Sequence, residues 1–124
     1  MDKTAAIDAL GALAQESRLD IYRLLVQAGT EGMPAGQIGE RLGLPAATLS
    51  FHLSQLRHAG LVAFTREGRS LIYVAEYDTM NRLLAYLTEN CCRGDVSACT
   101  IPACNVPACE PAAAAPPEAK RIRR

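Results

Sequence analysis

The sequence predicts a mainly α domain carrying a single β-hairpin, and three observations lead there. Apolar residues recur at helical spacing up to about residue 90. Two β-rich stretches, Leu61-Val62-Ala63-Phe64 and Ser70-Leu71-Ile72-Tyr73-Val74, flank Arg66-Glu67-Gly68-Arg69, a turn-forming segment. Two of the expected helices meet at Gly43-Leu44-Pro45, and the second runs straight into the hairpin, which is the order of a winged helix-turn-helix.

Each element has its own signal. A first helix is expected from about Thr4 to Leu13, and a second from about Ser17 to Gln27, with Leu19, Tyr22 and Val26 on one face and Ile21, Leu24 and Leu25 broadening it. Gly29, Gly32 and Pro34 then break the chain, and Pro34 suits a helix start because its missing N–H has no partner to lose. The third helix follows from Ala35 to Leu42 and stops at Gly43; Pro45 opens the fourth, Ala46 to Ala59, which stops at Gly60. After the hairpin a fifth helix, about Asp78 to Cys92, places Met80, Leu83, Leu84 and Leu87 at i, i+3, i+4 and i+7.

A chain of 124 residues, 49% of them hydrophobic, has room for one compact domain, residues 1–92, and a tail, residues 93–124. The tail holds Pro102, Pro107, Pro111, Pro116 and Pro117, an alanine run and the basic end Lys120-Arg121-Ile122-Arg123-Arg124, so it is expected to be extended and flexible beyond about residue 105. No stretch approaches the roughly 18 apolar residues needed to span a bilayer, and Asp2, Lys3, Asp8 and Glu16 interrupt the N-terminus. A cytoplasmic protein with no membrane partner is the expectation.

The 13 Lys and Arg are balanced by 13 Asp and Glu, so any attraction to nucleic acid must come from local placement. The fourth helix offers it. At about 100° per residue, Leu49, Leu53 and Leu56 converge on one face, while Ala47, Thr48, Ser50, Phe51, Ser54 and Gln55 lie on the other side. Short side chains allow close approach to a major groove, hydroxyls and amides meet base edges or phosphates, and Phe51 suits a thymine methyl. Arg66 and Arg69 at the hairpin tip are placed to touch phosphate or the minor groove of the same duplex. His52 lies beside the leucine face and reads as a packed structural histidine; His58 needs no role beyond its place near a helix end.

The run Leu49-Ser50-Phe51-His52-Leu53-Ser54-Gln55-Leu56-Arg57-His58-Ala59-Gly60-Leu61-Val62 resembles the recognition-helix signature of the ArsR/SmtB family of metal-responsive repressors. Ser17-Arg18-Leu19-Asp20-Ile21-Tyr22-Arg23-Leu24-Leu25 resembles that family's second helix. The likeness covers about residues 5 to 90 and implies a homodimer joined through its first and fifth helices, with recognition helices roughly 34 Å apart on double-stranded operator DNA. Leu10 and Leu13, with Met80, Leu83, Leu84 and Leu87, are the residues those helices bring to such an interface.

The effector must be read from the residues present. All five cysteines lie between Cys91 and Cys109, which suits a ligand set or redox switch in a reducing compartment better than a disulfide framework. The third helix, where the family's best-known arsenic sensors carry thiols, has none, and the fifth helix lacks the histidine of the family's usual zinc site. Cys91-Cys92 with Cys99 resembles instead a less common arsenic-responsive branch, in which a vicinal pair and a nearby third cysteine bind trivalent arsenic. Soft thiolates select soft centres, so arsenite, antimonite or an organic As(III) species fits the set. Cys104 and Cys109 are secondary candidates; either as a fourth ligand would also satisfy zinc. Arg93 beside the pair favours the thiolate.

Two alternatives stay open: the same fold sensing oxidant, persulfide, zinc or cadmium, and a thiol-rich metalloid buffer or delivery protein. Enzymatic activity is not expected, because no carboxylate pair, nucleophile with base, or phosphate-cradling glycine loop is present.

Overall fold

A computed structural model of the chain describes residues 1–94. Two compact units divide it: Lys3–Tyr77, and a second comprising Met1–Asp2 and the residues from Asp78 onward. The expected change of character within the tail, and Cys99, Cys104 and Cys109 with it, lie outside the described residues.

In the first unit, α1 (Lys3–Leu13) buries Ala6, Ala9 and Ala12, spaced three apart, so it packs through methyl groups and approaches its neighbours closely. Helix α2 (Glu16–Ala28) is capped by Gln15, whose Oε1 accepts from the Arg18 backbone N–H at 2.9 Å. Its buried residues are Ile21, Tyr22 and Leu25. The expected face is therefore corrected: Leu19 and Val26 are 44% and 39% exposed, because the inward direction passes through Ile21 and Leu25. Helices α3 (Ala35–Leu42) and α4 (Ala46–His58) form the helix-turn-helix. Gly43 takes the left-handed conformation between them, φ 67°, and both its N–H and that of Leu44 donate to the Gly39 carbonyl.

The sheet has one strand more than expected. Met33–Pro34 forms a short β1 that pairs with β3 (Ser70–Ala75), which pairs in turn with β2 (Val62–Glu67), giving an antiparallel order β1-β3-β2. Pro34 thus closes a strand as well as standing at the start of α3, as expected. Two residues could not announce a strand by alternation; only the neighbouring β3 edge makes them one. The hairpin is longer and its turn tighter than expected, with only Gly68 and Arg69 between paired Glu67 and Ser70. Gly68 at φ 63° supplies the positive dihedral that a two-residue connection requires.

Ile21, Leu25, Ile38, Leu53, Leu56 and Leu61 are the largest fully buried side chains of this unit. Each contributes about 2 kcal/mol by leaving water, and together they join α2, α3, α4 and the start of the wing.

In the second unit, α5 (Tyr77–Leu87) ends earlier than expected. The Thr88 hydroxyl donates to the Leu84 carbonyl at 2.8 Å, and Asn90 adopts φ 58°, a left-handed value that asparagine tolerates. Cys91 and Cys92 accordingly lie outside α5, in a turn spanning Cys91–Gly94.

Candidate nucleic-acid interface and thiol pair

The outer face of α4 is open. Ala47, Thr48, Ser50, Phe51 and Gln55 are exposed and Ser54 is half-buried, whereas Leu49, His52, Leu53 and Leu56 are buried. Phe51 is 57% exposed, an unusual position for a large apolar ring in a helix that has an apolar side of its own. The seating of the helix is tight: a Cβ on Gly39 would lie 3.2 Å from the Leu44 carbonyl oxygen and 3.3 Å from the Leu49 side chain, so glycine lets α3 approach α4. At its start α4 has no side-chain cap and no acidic residue in its first turn, which leaves the positive end of its dipole unopposed.

His58 is exposed on this same face, four residues after Ser54 and seven after Phe51. The helical period contained that signal, although its place near the helix end had called for no further role. His52 is buried, 8% exposed, with Nδ1 3.5 Å from Arg18 Nη1, and burial together with that guanidinium holds its pKa below the ordinary imidazole value. It is a packed histidine, as its place beside the leucines suggested.

Both wing arginines are exposed. Arg66 lies within β2 opposite Leu71, one pair from the turn, and Arg69 lies in the turn itself; the expectation that both occupy the tip is corrected for Arg66, because the strands run on to Glu67 and Ser70. Between Ala46 and Ser70 the acidic residue is Glu67 alone, against Arg57, Arg66 and Arg69. The neutral chain therefore carries a basic segment where α4 meets the wing.

A helix-turn-helix domain family matches residues 13–63. The uncharacterized HTH-type transcriptional regulator YceK of Bacillus subtilis (strain 168) is 37% identical over 73 residues, 59% of this chain and 72% of that protein. Among solved structures, an ArsR-like transcriptional regulator from Rhodococcus sp. RHA1 superposes with a TM-score of 0.64 at 25% identity, covering 74% of this chain and 84% of the other. The homodimeric winged helix-turn-helix DNA-binding domain of a possible ArsR-family transcriptional regulator from Mycobacterium bovis gives a TM-score of 0.58 at 30% identity, over 68% of this chain and 76% of that one. The chain belongs to the ArsR family of helix-turn-helix transcriptional regulators. As an ArsR-family member it is a DNA-binding regulator rather than an enzyme.

Two further sets of residues complete the regulator's candidate sites. On α1, Ile7 and Leu10 are exposed, 59% and 42%, and Leu13 is half-buried; Ile7 is an addition to the apolar residues expected there, visible in the i, i+3 spacing with Leu10. On α5, Leu84 and Leu87 are exposed, Met80 is half-buried, and Leu83 is 2% exposed already in the single chain. In the turn beyond α5, Cys91 is half-buried and Cys92 exposed, while Cys92 and Arg93 adopt φ 54° and 57°. That left-handed pair bends the backbone sharply at the thiols. Among the described residues no group of three or more His, Cys, Asp and Glu is placed to hold a metal ion, and no helix is long and apolar enough to cross a membrane.

Proposed function

We propose that this regulator is a homodimeric repressor that binds operator duplex through α4 and the wing, and leaves it when Cys91, Cys92 and Cys99 capture trivalent arsenic. The observation that carries the DNA half is the outer face of α4, open from Ala47 to Gln55 and flanked by the basic wing. The dimer half is supported by the apolar side chains that α1 and α5 leave exposed, and by the homodimeric relative from Mycobacterium bovis.

The effector half rests on two adjacent thiols in an accessible turn. Capture is a ligand exchange without electron transfer: three As–O bonds of arsenous acid break, three As–S bonds form, and each thiol proton leaves with a hydroxide as water. Adjacent residues deliver two sulfurs from one turn of chain, and Gly94 gives the backbone freedom to return the third. Drawing the tail onto the end of α5 changes the geometry of the seam between subunits, and with it the spacing of the two recognition helices. A coupling of about 1–3 kcal/mol corresponds to a 5- to 150-fold loss of DNA affinity.

The test is fluorescence anisotropy of the full chain on duplex from its own promoter, titrated in turn with arsenite, antimonite, zinc, cadmium and peroxide under reducing conditions, with a non-reducing arm for peroxide. Arsenite should release the wild type and leave Cys91→Ser and Cys99→Ser bound. Release by peroxide or zinc with indifference to arsenite overturns the effector and keeps the repressor. No salt-dependent binding to any duplex overturns both, and favours a metalloid buffer.

A further inference from the structure

The wing of a neutral protein has to attract a polyanion, and the structure holds one guanidinium in readiness for that between the recognition helix and the sheet. The Arg57 Cζ lies 5.3 Å from the centre of the Phe64 ring. Phe64 in turn lies 5.4 Å from the ring of Tyr73, its partner across the β2–β3 ladder, and Tyr73 is buried. A cation over an aromatic face is attracted by the ring quadrupole while its N–H groups, in the guanidinium plane, stay available to an oxyanion.

Alternation along β2 puts Val62, Phe64 and Arg66 on one face of the hairpin, with Ala75, Tyr73 and Leu71 opposite them. The buried members of that face, Val62, Tyr73 and Ala75, fix it as the side turned toward the domain, and α4 packs against β2. Arg66 therefore shares a face with Phe64, on whose ring the Arg57 guanidinium lies, and Glu67 points to the opposite one. Arg57 and Arg66 are both exposed, and among the described residues neither is ion-paired.

We propose that Arg57 is a DNA-phosphate contact, pre-positioned by Phe64, and that with Arg66 it forms a cationic strip along the inner face of the wing. The inference rests on the DNA-binding reading above and adds to it a residue at the junction of recognition helix and wing. Phe64 is a positioning residue: it touches no phosphate but restricts where the guanidinium can be. The ligand is the backbone of duplex DNA, so the contact strengthens binding to all sequences equally.

The experiment is anisotropy of the full chain on a labelled random-sequence duplex and on its promoter duplex over a salt series. Arg57→Gln should weaken both by about tenfold and reduce the slope of log K against log salt by about 1. Phe64→Leu, which keeps every charge, should weaken binding a few-fold with the slope unchanged. Arg57→Lys should retain the slope and lose part of the affinity, since charge remains but the flat fork that lies on the ring does not. Thermal melting accompanies each variant. A wild-type slope in Arg57→Gln overturns the proposal, whether affinity is lost or kept, because a purely structural arginine changes affinity without changing the number of ions released. If Arg57→Gln fails to fold, the Arg57→Lys and Phe64→Leu pair decides: equal affinities to wild type in both overturn it. Wild type that binds no duplex overturns the DNA-binding reading itself, a separate outcome.

Discussion

Arg18 joins the end of the first helix to the buried side of the recognition helix through His52. Its Nε–H donates to the Ala12 carbonyl at 2.7 Å, and its Nη1 lies 3.5 Å from His52 Nδ1, where a neutral imidazole presents its lone pair. One guanidinium thus links α1, α2 and α4.

The contact makes stability depend on pH. His52 has a folded-state pKa below its unfolded value, through burial first and Arg18 second, so the unfolded chain binds the proton more readily. The stabilisation is complete above about pH 6.5 and is lost as pH falls through the lowered folded value. Denaturation midpoints measured between about pH 7 and pH 5 should drop in the wild type and drop less in His52→Gln, whose amide still accepts from Arg18. Parallel curves for the two proteins would show that another group carries the dependence.

Tyr22 presents the opposite case. Among the described residues its buried hydroxyl has no hydrogen-bond partner, and burial, aided by Tyr77, pushes its pKa up to about 12. Tyr22→Phe removes an unsatisfied polar group while leaving the ring in place, so stability should be unchanged or rise by about 1 kcal/mol. Urea denaturation measures it; a loss of more than about 1 kcal/mol would reveal a partner for that hydroxyl.

Gly32 lies where a side chain has no room. Its φ is 73°, and a Cβ there would collide with the Tyr73 carbonyl and lie 2.6 Å from a Val74 methyl. Gly32→Ala should cost about 3 kcal/mol or more, detaching β1 from β3, since the obstructing oxygen is backbone that cannot rotate away. A melting temperature within a degree or so of wild type would contradict the packing of this edge.

Phe51 separates reading from folding. More than half exposed, it supports no core, so Phe51→Ala should leave the melting temperature near wild type while weakening promoter binding about tenfold, with random-sequence duplex affected less. Equal losses on the two duplexes would assign Phe51 to backbone contact instead.

Dimer formation has its own readout. Leu10→Asp together with Leu84→Asp places charge at two exposed apolar positions. Light scattering should show a monomer, and duplex binding should fall by at least tenfold, because two half-sites are no longer held by one particle. Retention of a dimer would place the seam elsewhere.

The order of the five helices and the hairpin, the buried and open faces of α4 and the packed setting of His52 were legible in the sequence, because helical period and turn chemistry are local properties that α3, α4 and the hairpin express within a few residues. The inward direction of α2 was not, since Leu19, Ile21, Leu24, Leu25 and Val26 surround the helix with apolar side chains and only the surface opposite selects among them. Met33–Pro34 became a strand through β3, and α5 ended at Leu87, with the left-handed Asn90 three residues on, rather than reaching Cys92. The Arg57–Phe64 contact likewise joins a helix to a strand, and tertiary packing is what lays the cation on the ring. Local chain preferences determined which elements form; the distances between them, which no single segment encodes, decided what those elements present to a partner.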